Sequence, residues 1–272
     1  MKMQNKDSEI RFDSKEISTI YFDMDGTIID PRSLRVTEST AKAFKALQKQ
    51  GIRIALCTTR NYPDAVKAPG MENIEWDGYV LESGNLVMDK EKKTVTQRSY
   101  DPEDLRMLFE RAAMKNIPVF FNNGTEYVTI ANELTAHIDE KYGMGNTPLG
   151  SWHGESVCML TLVSDDEEKI RELLEPIPGI VYRRGGDVNY DLALRGVTKL
   201  TGIQALQKYW NLEDAAFGAF GDTEADAYML SAAKAGFAMP WADEKASAAA
   251  TVKCKDYGPE TIEKALQETG LI

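Results

Sequence analysis

The stretch Ile20-Tyr21-Phe22-Asp23-Met24-Asp25-Gly26-Thr27 decides how this chain is read. Three residues of the kind that fill buried strands run into two aspartates one residue apart, and a glycine then lets the chain turn. Residues i and i+2 of a strand share a face, so continuing that geometry past the strand end aims both carboxylates at one spot. Two carboxylates held together repel and favour a cation, and hard oxygen donors suit Mg²⁺. At average composition D-x-D-G-T arises at about one position in 10⁵, so chance is a poor account of it in a chain of 272 residues. The plainer alternative is an acidic strand-to-turn junction with a threonine opening a helix.

Outward from that stretch, strand and helix alternate. A strand over 17–23 is followed by a helix over 37–50, with Thr37 as N-cap, Phe44 and Leu47 on one face and Gly51 as the stop. Apolar strands over 52–58 and 78–82 come next. Strands apolar on both faces and separated by helices imply a parallel sheet covered on both sides. From residue 86 the pattern changes to hairpins (86–88 with 94–98, 119–122 with 126–130) mixed with helices over 102–115, 133–142 and 165–174 and a Gly/Pro-rich link over 143–154. Alternation returns at Thr198, where Leu200, Ile203, Leu206 and Trp210 make a helical stripe before a strand over 215–220. The expected fold is α/β: a Rossmann-like, doubly wound parallel-sheet core (17–85 and 193–272) with an inserted α+β domain (86–192). A polar extension over 1–16 precedes it.

Composition narrows the partners. A net charge of −11 argues against nucleic acid and anionic membranes, because binding them rests on clustered cations that release counterions. No apolar run approaches the roughly 20 residues of a membrane span, and the first 16 residues lack the apolar centre of a signal peptide. A cytoplasmic protein is expected, as a monomer or weak homodimer. Three scattered cysteines (Cys57, Cys158, Cys254) and two histidines indicate neither a disulfide framework nor a zinc site.

Ligands of open α/β sheets bind beyond the carboxyl ends of the strands, and three more groups fall there. The second strand ends in Cys57-Thr58-Thr59-Arg60, where a hydroxyl and backbone N–H groups at a helix start can hold an anion. Lys199 opens the helix after the insert, an unfavourable end for a cation unless an anion compensates it. The late strand ends in Gly221-Asp222-Thr223-Glu224-Ala225-Asp226, with Asp226 one helical turn after Asp222.

Together these segments resemble the four motifs of the haloacid dehalogenase-like hydrolases, Cof-type subfamily IIB, with Asp77-Gly78-Tyr79-Val80-Leu81 and Arg195-Gly196-Val197-Thr198-Lys199 in support. The resemblance implies an Mg²⁺-dependent phosphatase for small phosphorylated metabolites, sugar phosphates first, working through an aspartyl-phosphate. It implies Asp23 as nucleophile and metal ligand, and Asp25 as general acid and base with its backbone carbonyl on the metal. Asp222 becomes a metal ligand, Thr58, Thr59, Arg60 and Lys199 phosphate-binding groups, and Asp226 a support for Lys199 or a metal-bound water. The inserted domain becomes a cap. Three departures stand out: Ala225 where the family carries asparagine, Ser83-Gly84-Asn85 where it carries Asn-Gly, and Pro240-Trp241 where it carries Gly-Asn. Ala225 and Trp241 keep a catalytically weak phosphometabolite-binding relative open, and a phosphosugar mutase is the nearest enzymatic alternative. A phosphoaccepting receiver domain shares the acids, threonine and lysine, but lacks the insert and the general acid.

Overall fold

The computed structural model describes residues 10–142 and 144–272, so residues 1–9 of the expected extension and Gly143 of the expected link lie outside the described residues. The chain forms two compact units, one reaching to Thr96 and resuming at Lys199–Ile272, the other Gln97–Thr198.

The first unit is built on an eight-stranded sheet. In chain order its early strands are β1 (Thr19–Phe22), β4 (Arg53–Cys57), β5 (Gly78–Leu81), β6 (Leu86–Asp89) and β7 (Thr94–Gln97); the short hairpin β2 (Ile29–Asp30) and β3 (Arg35–Val36) stands apart. After the insert (β8–β12) come β13 (Phe217–Gly221), β14 (Ala235–Ala238) and β15 (Val252–Lys253). The order is β15-β14-β13-β1-β4-β5-β6-β7, parallel from β15 through β5, with β6 antiparallel to β5. β1 thus lies centrally, and the two strands that carry the acidic motifs, β1 and β13, are neighbours in register (Phe22 opposite Phe220).

Alternation sorts the strand residues to two cores. Phe22, Phe220 and Phe237 stack in sequence across three strands, with centroids 5.1 and 4.2 Å apart, and Phe44 of helix α1 (Glu38–Lys49) packs on Phe22 at 4.4 Å. Tyr21, Ala55, Val80 and Ala219 face the other way, against Ile203 and Leu206 of the helix over Lys199–Tyr209. Every residue of β1 is buried, as a strand covered on both faces requires. Thr37 caps α1 by accepting the Thr40 N–H.

The second unit is a five-stranded antiparallel sheet in the order β11-β12-β10-β8-β9, from β8 (Val119–Asn122), β9 (Glu126–Val128), β10 (Met159–Val163), β11 (Ile180–Arg184) and β12 (Asn189–Leu194). One face carries its own core, with Leu105 and Leu108 of one helix and Ile170 and Leu173 of another packed on Phe121, Leu160 and Leu162.

Two boundaries differ from the sequence reading. The hairpin assigned to the insert from residue 86 lies in the first unit's sheet: Val87 pairs with Val80 and joins the core of Tyr21 and Ile203. At the other end β12 continues through Leu194, opposite Ile180, so residues 193–198 stay with the insert. Part of the polar extension is also folded. The Phe12 N–H donates to the Thr269 carbonyl (2.9 Å), and its ring meets Phe237 edge-on at 6.1 Å.

Candidate active site

β1 delivers Asp23 to the carboxyl edge of the sheet, and the next residues fold into a tight turn in which the Gly26 N–H donates to the Ile29 carbonyl (3.2 Å) and the Ile29 N–H to the Met24 carbonyl (2.9 Å). Those bonds leave the Asp25 carbonyl unused within the turn. Gly26 sits at φ +82°, and a Cβ there would lie 2.1 Å from Asp222 Oδ2, so the turn needs glycine both for its left-handed conformation and for its approach to that carboxylate.

Asp23, Asp222 and Asp226 offer carboxylate oxygens all within 4.8 Å of one another. Lys199, 1% exposed, reaches between two of them, its ammonium donating to Asp23 Oδ1 (2.5 Å) and Asp226 Oδ1 (2.7 Å). The anion that a lysine at a helix start requires is therefore a pair of aspartates. Burial opposes the Lys199 charge, but Asp226 and Asp23 outweigh it and hold its pKa above the ordinary value. Asp226, fully buried, spends Oδ2 on the N–H groups of Asp222 and Thr223 (3.1 Å each) and the Thr223 hydroxyl (3.3 Å). With both oxygens engaged, Asp226 anchors Lys199 and the Asp222 backbone. The Asp222 carboxylate accepts from the Thr27 hydroxyl (3.3 Å).

Three carboxylates share one ammonium. Burial, then Asp226, push the Asp23 carboxyl up to about 7 against the opposing pull of Lys199. Burial, then Asp23 and Asp226, push Asp222 up to about 9. Negative charge left uncompensated on hard oxygen donors is what a divalent cation relieves. The donor set fits Mg²⁺, with Asp23, Asp222 and the Asp25 carbonyl as the residues that would hold it.

The Asp25 side chain is turned away from this cluster. Arg60 grips it with both arms, Nε to Oδ2 at 2.8 Å and Nη2 to Oδ1 at 2.6 Å, and the pair is solvent-accessible (side chains 37% and 47% exposed). Thr58 is buried, and its hydroxyl accepts the Arg60 N–H (3.1 Å), which leaves its own O–H free to donate onward. Thr59 is half-buried on the same turn. That turn is braced by the segment after β5, whose Glu82 and Ser83 N–H groups donate to the Arg60 and Thr58 carbonyls (3.0 and 3.1 Å). Glu82 and Ser83 hold φ of 52° and 59°, uncommon for non-glycine residues. Burial pushes the Glu82 carboxyl up to about 7.

Two participants escaped the sequence reading. A helix-start threonine is all the sequence offers at Thr27, yet its hydroxyl donates to Asp222. Trp241 stands in the sequence only as a departure, yet its indole N–H donates to the Gly26 carbonyl (2.7 Å). In the insert, Asn122 and Asn123 are used locally, accepting from Gly124 and Thr125.

The family model of haloacid dehalogenase-like hydrolases matches residues 20–266. The chain belongs to this family. This haloacid dehalogenase-like hydrolase is 25% identical over 268 residues to the 5-amino-6-(5-phospho-D-ribitylamino)uracil phosphatase YbjI of Escherichia coli K12, spanning 90% of this chain and 93% of the relative. Its fold matches BT1666, from a study of phosphatases of the superfamily in Bacteroides thetaiotaomicron, at a TM-score of 0.85 and 22% identity over 99% of both chains. It also matches the subclass IIB sugar phosphatase BT4131 at 0.80 and 24% identity, over 94% of this chain and all of the other. Among the described residues of this hydrolase, no helix is long and apolar enough to cross a membrane.

Proposed function

We propose that this hydrolase cleaves phosphate monoesters of small polyhydroxylated metabolites, sugar phosphates first, through an aspartyl-phosphate on Asp23 and with Mg²⁺ bound by Asp23, Asp222 and the Asp25 carbonyl. The observation that carries the reading is the division of the two motif aspartates: Asp23 buried in the charge cluster against Lys199, Asp25 outside it on Arg60. A nucleophile must be fixed, and a proton carrier must be able to move. Support for the substrate class comes from the relatives, one of which acts on a phosphoribityl compound and another on sugar phosphates.

In this mechanism the Asp23 carboxylate attacks phosphorus, forming the Asp23–O–P bond as the bond to the leaving alkoxide breaks. Asp25, released from Arg60 and having taken a proton from solvent, gives that proton to the alkoxide. Asp25 then takes a proton from water, which attacks the phosphoryl group, expels phosphate and restores Asp23. Lys199 holds Asp23 in line and balances charge; the Thr58 hydroxyl, Thr59 and Arg60 hold phosphoryl oxygens. Bound Mg²⁺ supplies the charge screening that lets a carboxylate approach a phosphate dianion.

The test is phosphate release from a panel of hexose, pentose and polyol monophosphates with and without Mg²⁺, alongside Asp23→Asn. Mg²⁺-dependent turnover abolished by Asp23→Asn is expected. No turnover across the panel refutes the phosphatase in favour of a binding protein, and an isomeric sugar phosphate as product refutes it in favour of a mutase.

A further inference from the structure

Resting on the functional reading above, we propose that Trp241 is a positioning residue that fixes the turn over 23–27 against Asp222. Its backbone belongs to the segment after β14, tied to the strand that carries Asp222: the Met239 N–H donates to the Gly221 carbonyl, and the Ala242 N–H to the Met239 carbonyl (3.0 Å each). Its indole crosses from there to β1's turn and donates to the Gly26 carbonyl (2.7 Å). Gly26 is then held by Ile29 at its N–H and by Trp241 at its carbonyl, while Asp222 lies where a Cβ would have to go. The neighbouring residues on either side are Asp25 and Thr27, the latter bonded to Asp222. A shift of that carbonyl therefore moves the proposed proton carrier and a metal ligand's support together.

The indole is itself locked. Arg32 lies over its ring, with the guanidinium carbon 5.0 Å from the centroid, a cation–π arrangement. Arg32 in turn donates to Asp30 (2.7 and 3.2 Å) and Asp256 (3.0 and 3.2 Å). The chain of contacts Gly26–Trp241–Arg32–Asp30/Asp256 binds the turn, the β2–β3 hairpin and the C-terminal region into one frame.

Trp241→Phe keeps an aromatic face for Arg32 but removes the indole N–H, so it targets the bond to Gly26. Amide hydrogen exchange of the full-length chain reads the brace without substrate or metal. We expect exchange at Gly26, Thr27 and Ile29 to accelerate at least about 10-fold, with β4 and β14 unchanged. In kinetics kcat should fall about 10-fold or more with KM within about twofold, because small misplacements of reacting groups cost rate. Calorimetric Mg²⁺ titration should show weaker binding. Unchanged exchange in the turn overturns the proposal, and so does uniform acceleration through the core, which marks plain destabilisation. An inactive parent enzyme refutes the functional reading, while the exchange result still decides the role of Trp241. Should Trp241→Phe fail to fold, Arg32→Met, which leaves the N–H but frees the ring, must show the same localised acceleration.

Discussion

Lys199→Met is the perturbation that the site's geometry makes most costly. Among the described residues Lys199 is the ammonium set between two buried carboxylates, bonded to Asp23 at 2.5 Å and Asp226 at 2.7 Å, with Asp222 beside them. Methionine matches its length and removes its charge, leaving both partners without their cation. Removing one partner of a buried ion pair costs about 3–5 kcal/mol, on the order of 10 °C in melting temperature for a unit of this size. The sign of the pH dependence follows from Asp23, whose carboxyl burial and Asp226 already push up to about 7 and which Lys199 alone pulls down. Without the lysine it rises further. The unfolded pKa cancels in the comparison of variant with parent, so this part of the deficit opens as pH rises above about 7 and is absent well below it. Thermal melts in EDTA at pH 5 and pH 8 measure both effects. A variant that melts with the parent at pH 8, or whose deficit grows on acidification, refutes the assignment of Lys199 as the charge that holds the cluster together.

Two further predictions concern the turns on either side. Glu82, whose raised pKa comes from burial, keeps its proton in the folded state, so stability is present below the unfolded pKa near ~4.5 and is lost as pH rises through about 7. Glu82→Gln should therefore stabilise at pH 8 by up to about 3 kcal/mol and have no effect at pH 4, as urea melts at the two pH values will show. Gly26→Ala meets a left-handed φ costing about 1–2 kcal/mol and a contact of 2.1 Å with Asp222. Its phosphatase activity should fall about 100-fold with a higher Mg²⁺ requirement, and full activity at the parent's Mg²⁺ requirement would sink the argument for close approach.

Much of this architecture was legible because strands and acids announce themselves locally. The apolar run before Asp23, the strand end at Thr58 and the glycine before Asp222 each mark a sheet edge without help from elsewhere. Lys199 was legible in a second way, since a cation at a helix start advertises a missing anion. What the sequence hid were partnerships across distance. Nothing near Arg60 says that it will grip Asp25 rather than point into an anion site, and nothing near Trp241 says that its N–H will find Gly26, 215 residues away. The β6–β7 hairpin failed for a related reason. Its alternation fits a half-covered sheet of either unit, and only the pairing of Val80 with Val87 decides which.

The unequal exposure of the two ion pairs has a bearing on ionic strength. Dissolved salt acts over a Debye length of about 8 Å at physiological concentration and screens charges in contact with water far more than buried ones. The Arg60–Asp25 pair stands in water, whereas Lys199 and its aspartates are sealed beneath the sheet edge. Salt therefore loosens the grip on Asp25, the proposed proton carrier, and leaves the frame around Asp23 intact. The medium can tune how readily Asp25 comes free without disturbing the group it works beside.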